Sequence, residues 1–177
     1  MDTGGVREIV EGIRSQDRSV ASDCIKVLYE IGHRKPELIA EYTDLFITAL
    51  SDKNNRIVWG SMTALAYSTH LNPNVVYNRL SEIVAAYRTG SVITVDNSIS
   101  VFASLCSAGG EYREVVFPLL LTHLEQCRAK EIPQHAERIA VCIDSGNREA
   151  FVKALDARAD ELSAAQQSRI AKLKKKL

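Results

Sequence analysis

The sequence lacks the features that would assign it to several large functional classes. Lysine plus arginine and aspartate plus glutamate each total 22, so the formal net charge is zero and no global attraction to nucleic acid or an anionic membrane is expected. No apolar run approaches the roughly 18 residues of a membrane span. The stretch from Met1 to Gly5 is polar and glycine-containing, unlike a secretory signal. We therefore expect a cytoplasmic protein with no membrane partner.

Motifs for catalysis and metal binding are also missing. The sequence has no glycine-rich phosphate loop, no G-x-S-x-G elbow and no H-E-x-x-H helix. His123 and His135 fall on different predicted elements, with no obvious carboxylate or cysteine partner. No C-x-x-C pair and no histidine at metal spacing accompanies the four cysteines Cys24, Cys106, Cys127 and Cys142. The sequence thus predicts no catalytic residue, no metal site, no cofactor and no enzymatic activity.

What the sequence does contain is a repeat of 37 residues. An apolar triplet at positions i, i+1 and i+4 recurs in register four times, as Ile9, Val10, Ile13; Phe46, Ile47, Leu50; Ile83, Val84, Tyr87; and Leu120, Leu121, Leu124. A second stripe with helical spacing, Ile25, Leu28 and Ile31, recurs in the following units, and Pro36 and Pro73 lie one period apart. A period between about 20 and 50 residues is typical of stacked-repeat proteins.

Two apolar stripes in each unit predict one helical hairpin per repeat. We therefore expect an all-α fold, a right-handed α-α superhelix of about four hairpins, with residues 1–177 forming one repeat domain. An orphan helix at 5–15 precedes repeats at 17–51, 54–89, 91–129 and 131–161, and a capping helix follows at 163–177. The second helices of the first two repeats are expected at 37–51 and 74–89. Gly109 and Gly110 should take left-handed conformations at a turn. Pro118 should kink its helix or delay the start of that helix.

The packing positions resemble those of HEAT-repeat proteins. The first-helix pattern V-x-x-x-A-x-x-A-L-x-x-I is matched by Val20, Cys24, Val27, Leu28 and Ile31, and the run from Phe117 to Leu121 looks like the second-helix pattern L-P-x-L-L. Many HEAT repeats place Arg or Lys directly after the first Val, whereas this sequence has Ala21, Val58 and Val95 there. A charged ladder like that of importins is therefore not expected.

The HEAT resemblance implies that the second helices line a concave groove. Helical geometry places the following residues opposite the core-facing positions: Glu8, Glu11, Glu41, Asp44, Leu45, Thr48, Asn78, Glu82, Leu119 and Thr122. These positions carry carboxylates, with Arg7 as the one basic residue beside them, and become more apolar toward the C-terminus. Such a groove would suit a basic, amphipathic peptide or helix. Alternatively, these residues are only solvated side chains and lateral helix contacts.

Two further surfaces have open interpretations. Trp59 and Tyr67 align with polar residues of other repeats. They either anchor a partner or a second copy of the protein on the convex face, or lie half-buried over the adjoining repeat or an N-terminal segment. The basic run 169–177 either contacts nucleic acid or an anionic surface, or complements the dipole of a terminal helix.

These observations favour a non-enzymatic scaffold or adaptor for protein–protein interactions. One alternative is a nucleic-acid-binding HEAT protein, similar to the DNA alkylation repair glycosylases, although their groove is basic. A second is a HEAT-type regulatory subunit or a lyase for a tetrapyrrole chromophore, which would need a histidine or cysteine constellation. The identity of the partner, the oligomeric state and membership of a larger protein stay open.

Overall fold

Helices joined by short turns make up the computed structural model, which describes residues 3–177. The α-helices are α1 (Thr3–Gly12), α2 (Arg18–Arg34), α3 (Thr43–Ala49), α4 (Asn55–Ser68), α5 (Pro73–Asn78), α6 (Leu80–Thr89), α7 (Val92–Ser107), α8 (Gly110–Gln126), α9 (Ile132–Ile139), α10 (Arg148–Asp156) and α11 (Ala164–Lys174). Residues 3–177 contain no β-strand, which confirms the all-α class. Among these residues, no helix is long and apolar enough to cross a membrane. Met1 and Asp2, part of the predicted polar start, lie outside the described residues.

Polar side chains fix where several helices begin. Asp17 accepts a hydrogen bond from the backbone N–H of Ser19 at 2.8 Å, and Asn54 accepts one from Arg56 at 3.0 Å. At α11, Ser163 forms a capping box with Gln166. Each cap pairs a backbone N–H that the first helical turn cannot satisfy internally. The helix starts are therefore set locally by residues that precede each apolar stripe.

The second helix of the hairpin is interrupted in two successive repeats, which the sequence did not predict. In place of a helix at 37–51, two single-turn 3₁₀ helices, Pro36–Leu38 and Ala40–Tyr42, precede α3. The helix expected at 74–89 is divided at Arg79 into α5 and α6. The backbone leaves the helical region at Tyr42 (ψ 13°) and at Arg79 (ψ 23°), one repeat apart. Both repeats therefore consist of a long first helix, a short helical segment and a second helix, which is α3 in one repeat and α6 in the next.

The chain divides into two compact units, Met1–Val101 and Phe102–Leu177, with the division inside α7. In the first unit α2 packs against α1 and α4, and α3 packs against α4 and α5. In the second, α8 packs against α9 and α10, and α9 against α11. Leu65 and Leu120 are both completely buried, as the repeat register predicted.

The turn between α7 and α8 uses two glycines in the left-handed region, with φ of 82° at Gly109 and 52° at Gly110. This confirms the predicted role of the glycine pair, because other residues rarely adopt such angles. Of the two alternatives for Pro118, a kink or a late start, the late start is excluded, since α8 starts at Gly110 and continues through Pro118. Pro118 removes the N–H that would bond the preceding turn, but the packed helix continues past it.

Candidate functional site

A surface depression of about 710 Å³ lies between α1 and α3 in the first unit. It is bounded by residues of both helices and of the turns that flank them. The lining residues are Arg7, Val10, Glu11, Ile13, Arg14, Glu41, Tyr42, Asp44, Leu45, Thr48, Ala49, Ser51 and Asp52. Apolar side chains and a ring of charges thus lie side by side, and we call this surface the α1–α3 depression.

Half of the residues predicted for the groove meet at this depression. Glu11, Glu41, Asp44, Leu45 and Thr48 all line it. The other predicted residues lie elsewhere. Glu8 and Asn78 are exposed outside the lining, and Glu82 accepts hydrogen bonds from Arg79. Leu119 and Thr122 belong to α8 in the second unit. The periodic alignment therefore located one patch of contiguous surface.

Arg79 connects Glu82 to helix α3. Its Nε and Nη2 donate to the two carboxylate oxygens of Glu82 at 2.7 and 2.6 Å. Its Nη1 donates to the carbonyl oxygen of Asp44 at 2.8 Å, to Asp44 Oδ1 at 3.2 Å and to Thr48 Oγ1 at 3.1 Å. We call this set the Arg79 bridge. It joins two consecutive repeats and compensates the charge of two predicted groove carboxylates.

The α1–α3 depression is consequently less acidic than the sequence suggested. Its lining carries four carboxylates and two arginines, and Arg7 lies 3.7 Å from Glu11 in an exposed ion pair. Burial, followed by the charge of Glu41 and a hydrogen bond to it, raises the pKa of the Tyr42 hydroxyl. The net charge of the lining is still negative, and Glu41 and Asp52 are exposed. The sequence did not predict Arg14 and Arg79, because neither occupies one of the helical positions from which the groove residues were assigned.

A short sequence signal could have identified the Arg79 bridge. The spacing Arg-x-x-Glu occurs at Arg34, Arg79, Arg128 and Arg158. At the last three of these positions the arginine pairs with the glutamate three residues later. Arg158 repeats the geometry most fully, because its Nη1 also reaches the carbonyl oxygens of Leu124 at 2.8 Å and Cys127 at 2.9 Å. At Arg79 and Arg158 the motif thus coincides with a contact to the preceding repeat.

The two aromatic residues assigned to the convex face are half-buried against the preceding repeat. The Trp59 ring lies 5.7 Å from that of Tyr29, and the Tyr67 ring lies 5.0 Å from that of His33, in tilted arrangements. Aromatic pairs at these distances stabilise packing between helices. Of the two open interpretations, the structure agrees with packing over an adjoining repeat.

The second unit contains a histidine pair that the sequence did not predict, and the expectation that neither histidine has a cysteine partner was wrong. His123 on α8 and His135 on α9 are buried, and Nε2 of the first lies 2.8 Å from Nδ1 of the second. Cys127, at the C-terminal end of α8, places its sulfur within 4.8 Å of both ring nitrogens. Burial raises the pKa of the Cys127 thiol to about 11, against the opposing charge of Arg158. The short loop between α8 and α9 brings the three together.

Two other cysteines, Cys106 and Cys142, form a buried thiol pair in the same unit. Their side chains are hydrogen-bonded, and this bond together with burial raises the pKa of Cys142. Arg113 lies beside them and binds Asp144 at 2.5 Å.

The fold is shared with solved helical-repeat proteins. No protein-family model and no curated protein matches the sequence. A designed armadillo repeat protein superposes with a TM-score of 0.69 at 14% identity, covering 93% of this chain and 78% of that one. An engineered protein superposes with a TM-score of 0.71 at 16% identity, covering 97% and 77%. The chain therefore has the fold of the HEAT and armadillo helical-repeat solenoids.

Proposed function

We propose that this protein is a non-enzymatic scaffold that binds a basic, amphipathic protein segment in the α1–α3 depression. The observation that carries the proposal is the combination of apolar floor and acidic rim in one recess. Val10 is buried, and Ile13 and Leu45 are half-buried at its base. Glu41 and Asp52 are exposed at its edge. A cytoplasmic location stays a prediction from the sequence.

Charge and shape together define the kind of partner. A helix or extended segment with leucine-like side chains on one face could bury them against the apolar floor. Lysine or arginine side chains on its flanks would then face Glu41 and Asp52. Complementary charge contributes mainly specificity and association rate, whereas the apolar contact supplies the affinity. Both features are needed for a specific site, and the depression offers both.

Backbone rigidity around the recess supports the same proposal. The Arg79 bridge holds Asp44 and Thr48 of α3 against the next repeat. Thr43 of the same helix is buried and donates to the carbonyl oxygen of Ala40 at 2.7 Å. Because these hydrogen bonds already fix α3, the surface should lose little conformational freedom on binding, which preserves affinity.

The test is fluorescence anisotropy with a labelled helical peptide that has leucines on one face and lysines on the other. We expect saturable binding that weakens with salt, and no binding of the same peptide with glutamate in place of lysine. Glu41→Lys should weaken binding about tenfold, because it replaces an attraction by a repulsion at contact distance. Asp44 is left unchanged because its substitution would also break the Arg79 bridge.

A matched control separates local from global electrostatics. Glu37→Lys makes the same change in net charge at an exposed position outside the depression, so binding should be retained. Trp59→Ala should also leave binding intact. Loss of binding in Trp59→Ala but not in Glu41→Lys would move the functional face to the Trp59 side. Equal losses in the Glu41 and Glu37 variants would show unspecific charge attraction and contradict the proposal.

A further inference from the structure

We infer that His123, Cys127 and His135 form a binding site for a divalent transition metal ion, with Zn²⁺ as the best fit. The three candidate ligand atoms lie within 4.8 Å of one another, so one ion could contact all of them after the side chains readjust. Imidazole and thiolate are preferred ligands of Zn²⁺, and three protein ligands leave a fourth position for water or an outside ligand. The site belongs to the second unit and does not depend on the α1–α3 depression.

The three side chains must readjust to bind the ion. The Cys127 sulfur lies within 4.8 Å of both nitrogens, whereas tetrahedral coordination with a Zn–S bond of about 2.3 Å places it about 3.5 Å from each, so the Cys127 side chain must move toward the rings. Tetrahedral coordination with Zn–N bonds of about 2.0–2.1 Å places two ligand nitrogens about 3.3 Å apart. His123 Nε2 and His135 Nδ1 are 2.8 Å apart, so the hydrogen bond between them must open by roughly half an ångström. Modest rotation of the two rings accomplishes this. The ion would then take the place of the proton that the two nitrogens share.

The protein scaffold holds the three ligands before any ion binds. His123 and Cys127 are one helical turn apart at the end of α8, and His135 is on the first turns of α9. Arg158 donates to the carbonyl oxygen of Cys127 at 2.9 Å and fixes the end of α8. Because the two imidazoles are buried and Cys127 is only half-buried, the thiol side offers the route by which an ion could enter.

The charges around the cluster are balanced. The guanidinium of Arg158 would repel a cation, but both carboxylate oxygens of Glu161 accept hydrogen bonds from it, at 2.5 and 2.6 Å. Glu131 at the N-terminal end of α9 interacts electrostatically with His135 and is itself paired with Arg128. A divalent ion bound by one thiolate and two neutral imidazoles would add one net positive charge next to these two ion pairs. Such a site is electrostatically feasible.

The test uses untagged, metal-free full-length protein titrated with Co²⁺ as a spectroscopic probe. We expect one equivalent to bind, with visible bands of tetrahedral Co²⁺ and a near-ultraviolet charge-transfer band from the thiolate, both abolished by Zn²⁺. Cys127→Ser should remove the charge-transfer band, and His135→Gln should weaken binding at least tenfold. Cys24→Ser and His70→Gln remove a thiol and an imidazole outside the cluster and should change neither property.

A second measurement needs no substitution. Zn²⁺ should protect Cys127 from alkylation in the wild-type protein, whereas the half-buried Cys24 should react at the same rate with or without the ion, as read by peptide mass spectrometry. The absence of stoichiometric binding by the wild type would overturn the inference. Binding that persists unchanged in Cys127→Ser and His135→Gln, or equal protection of Cys24, would do the same.

Discussion

Arg79 binds Glu82 through both carboxylate oxygens while a third nitrogen of the same guanidinium reaches Asp44 of the preceding repeat. Arg158 and Glu161 show the same pairing, with the third nitrogen on carbonyl oxygens at the end of α8. The planar guanidinium can serve both partners at once because its donors point in fixed directions. The Arg79 bridge joins α3 to the start of α6, and Arg158 joins the end of α8 to the segment that follows α10.

Replacement of Arg79 by Met should destabilise the protein by about 1 kcal/mol near neutral pH, since the pair is partly exposed and screened by solvent. The hydrogen bond from Arg79, opposed by burial, lowers the pKa of Glu82. A carboxyl group whose pKa is lower in the folded protein than in the unfolded chain stabilises the fold at pH values above its unfolded pKa. That stabilisation is lost as the pH falls through its folded pKa. Urea unfolding at pH 7 and at about pH 3 should therefore show that Arg79→Met destabilises the protein less at acid pH.

The exposed Arg56 provides the control for this measurement. Arg56→Met makes the same chemical change and should alter stability by less than about 0.5 kcal/mol at either pH. A cost of Arg79→Met that is unchanged or larger at acid pH would show that the ion pair with Glu82 contributes nothing.

Leu65→Ala should lower the free energy of unfolding by roughly 2–5 kcal/mol, because the side chain is completely buried and a cavity would remain. Val20→Ala removes apolar atoms from a side chain that is 44% exposed and should cost less than about 0.5 kcal/mol. Chemical denaturation of both variants measures the difference. Similar values for the two would contradict the repeat register on which the core assignment rests.

Gly60→Ala should destabilise the protein although alanine is the better helix former. A Cβ at this position of α4 would lie 2.8 Å from Cγ1 and 3.1 Å from Cγ2 of Ile25 on α2. The propensity gain is about 1 kcal/mol, whereas overpacking costs about 1–3 kcal/mol, so packing should outweigh propensity. In an Ile25→Ala background both clashing carbons are gone, and Gly60→Ala should become neutral or stabilising in thermal unfolding. Equal effects in both backgrounds would exclude this contact as the cause.

Duplex DNA should bind only weakly at physiological salt, because much of the basic C-terminal segment already has partners. Arg169 binds Glu137, and Lys174 binds Asp156. Ile170 is buried, so Lys172, Lys175 and Lys176 should be replaced by Gln instead of deleting the segment. Gel-shift assays should show that this variant loses any residual binding. Strong, salt-sensitive binding that survives the replacement would favour the nucleic-acid-binding alternative.

The helices and core were predictable because apolar spacing is a local property of the sequence. Leu65 and Leu120 are buried where the repeat placed them, and Gly109 and Gly110 have the expected left-handed backbone. The breaks at Tyr42 and Arg79 were not predicted, since the apolar pattern continues through them. The repeat alignment assigns core positions and contains no information about backbone hydrogen bonds at the interruption.

The sites were less predictable because they depend on long side chains and on turns. Periodicity brought Glu41 and Leu45 into the α1–α3 depression, but it could not show that Arg79 reaches Asp44 across 35 residues. It also missed the approach of His123 to His135, which depends on the path of the loop between α8 and α9. The even spacing of His123, Cys127, Glu131 and His135, four residues apart, was the available signal.

The reach of the arginine bridges has a consequence for the speed of folding. Their contacts to the preceding repeat join residues 35 positions apart at Asp44 and 34 positions apart at Leu124. Each therefore closes a loop of only about one repeat, and loop-closure entropy grows slowly with length. Chains with mostly short-range contacts fold faster than those that must first pair distant segments. Folding can accordingly start in one hairpin and spread to its neighbours, each bridge forming as soon as the next repeat is in place.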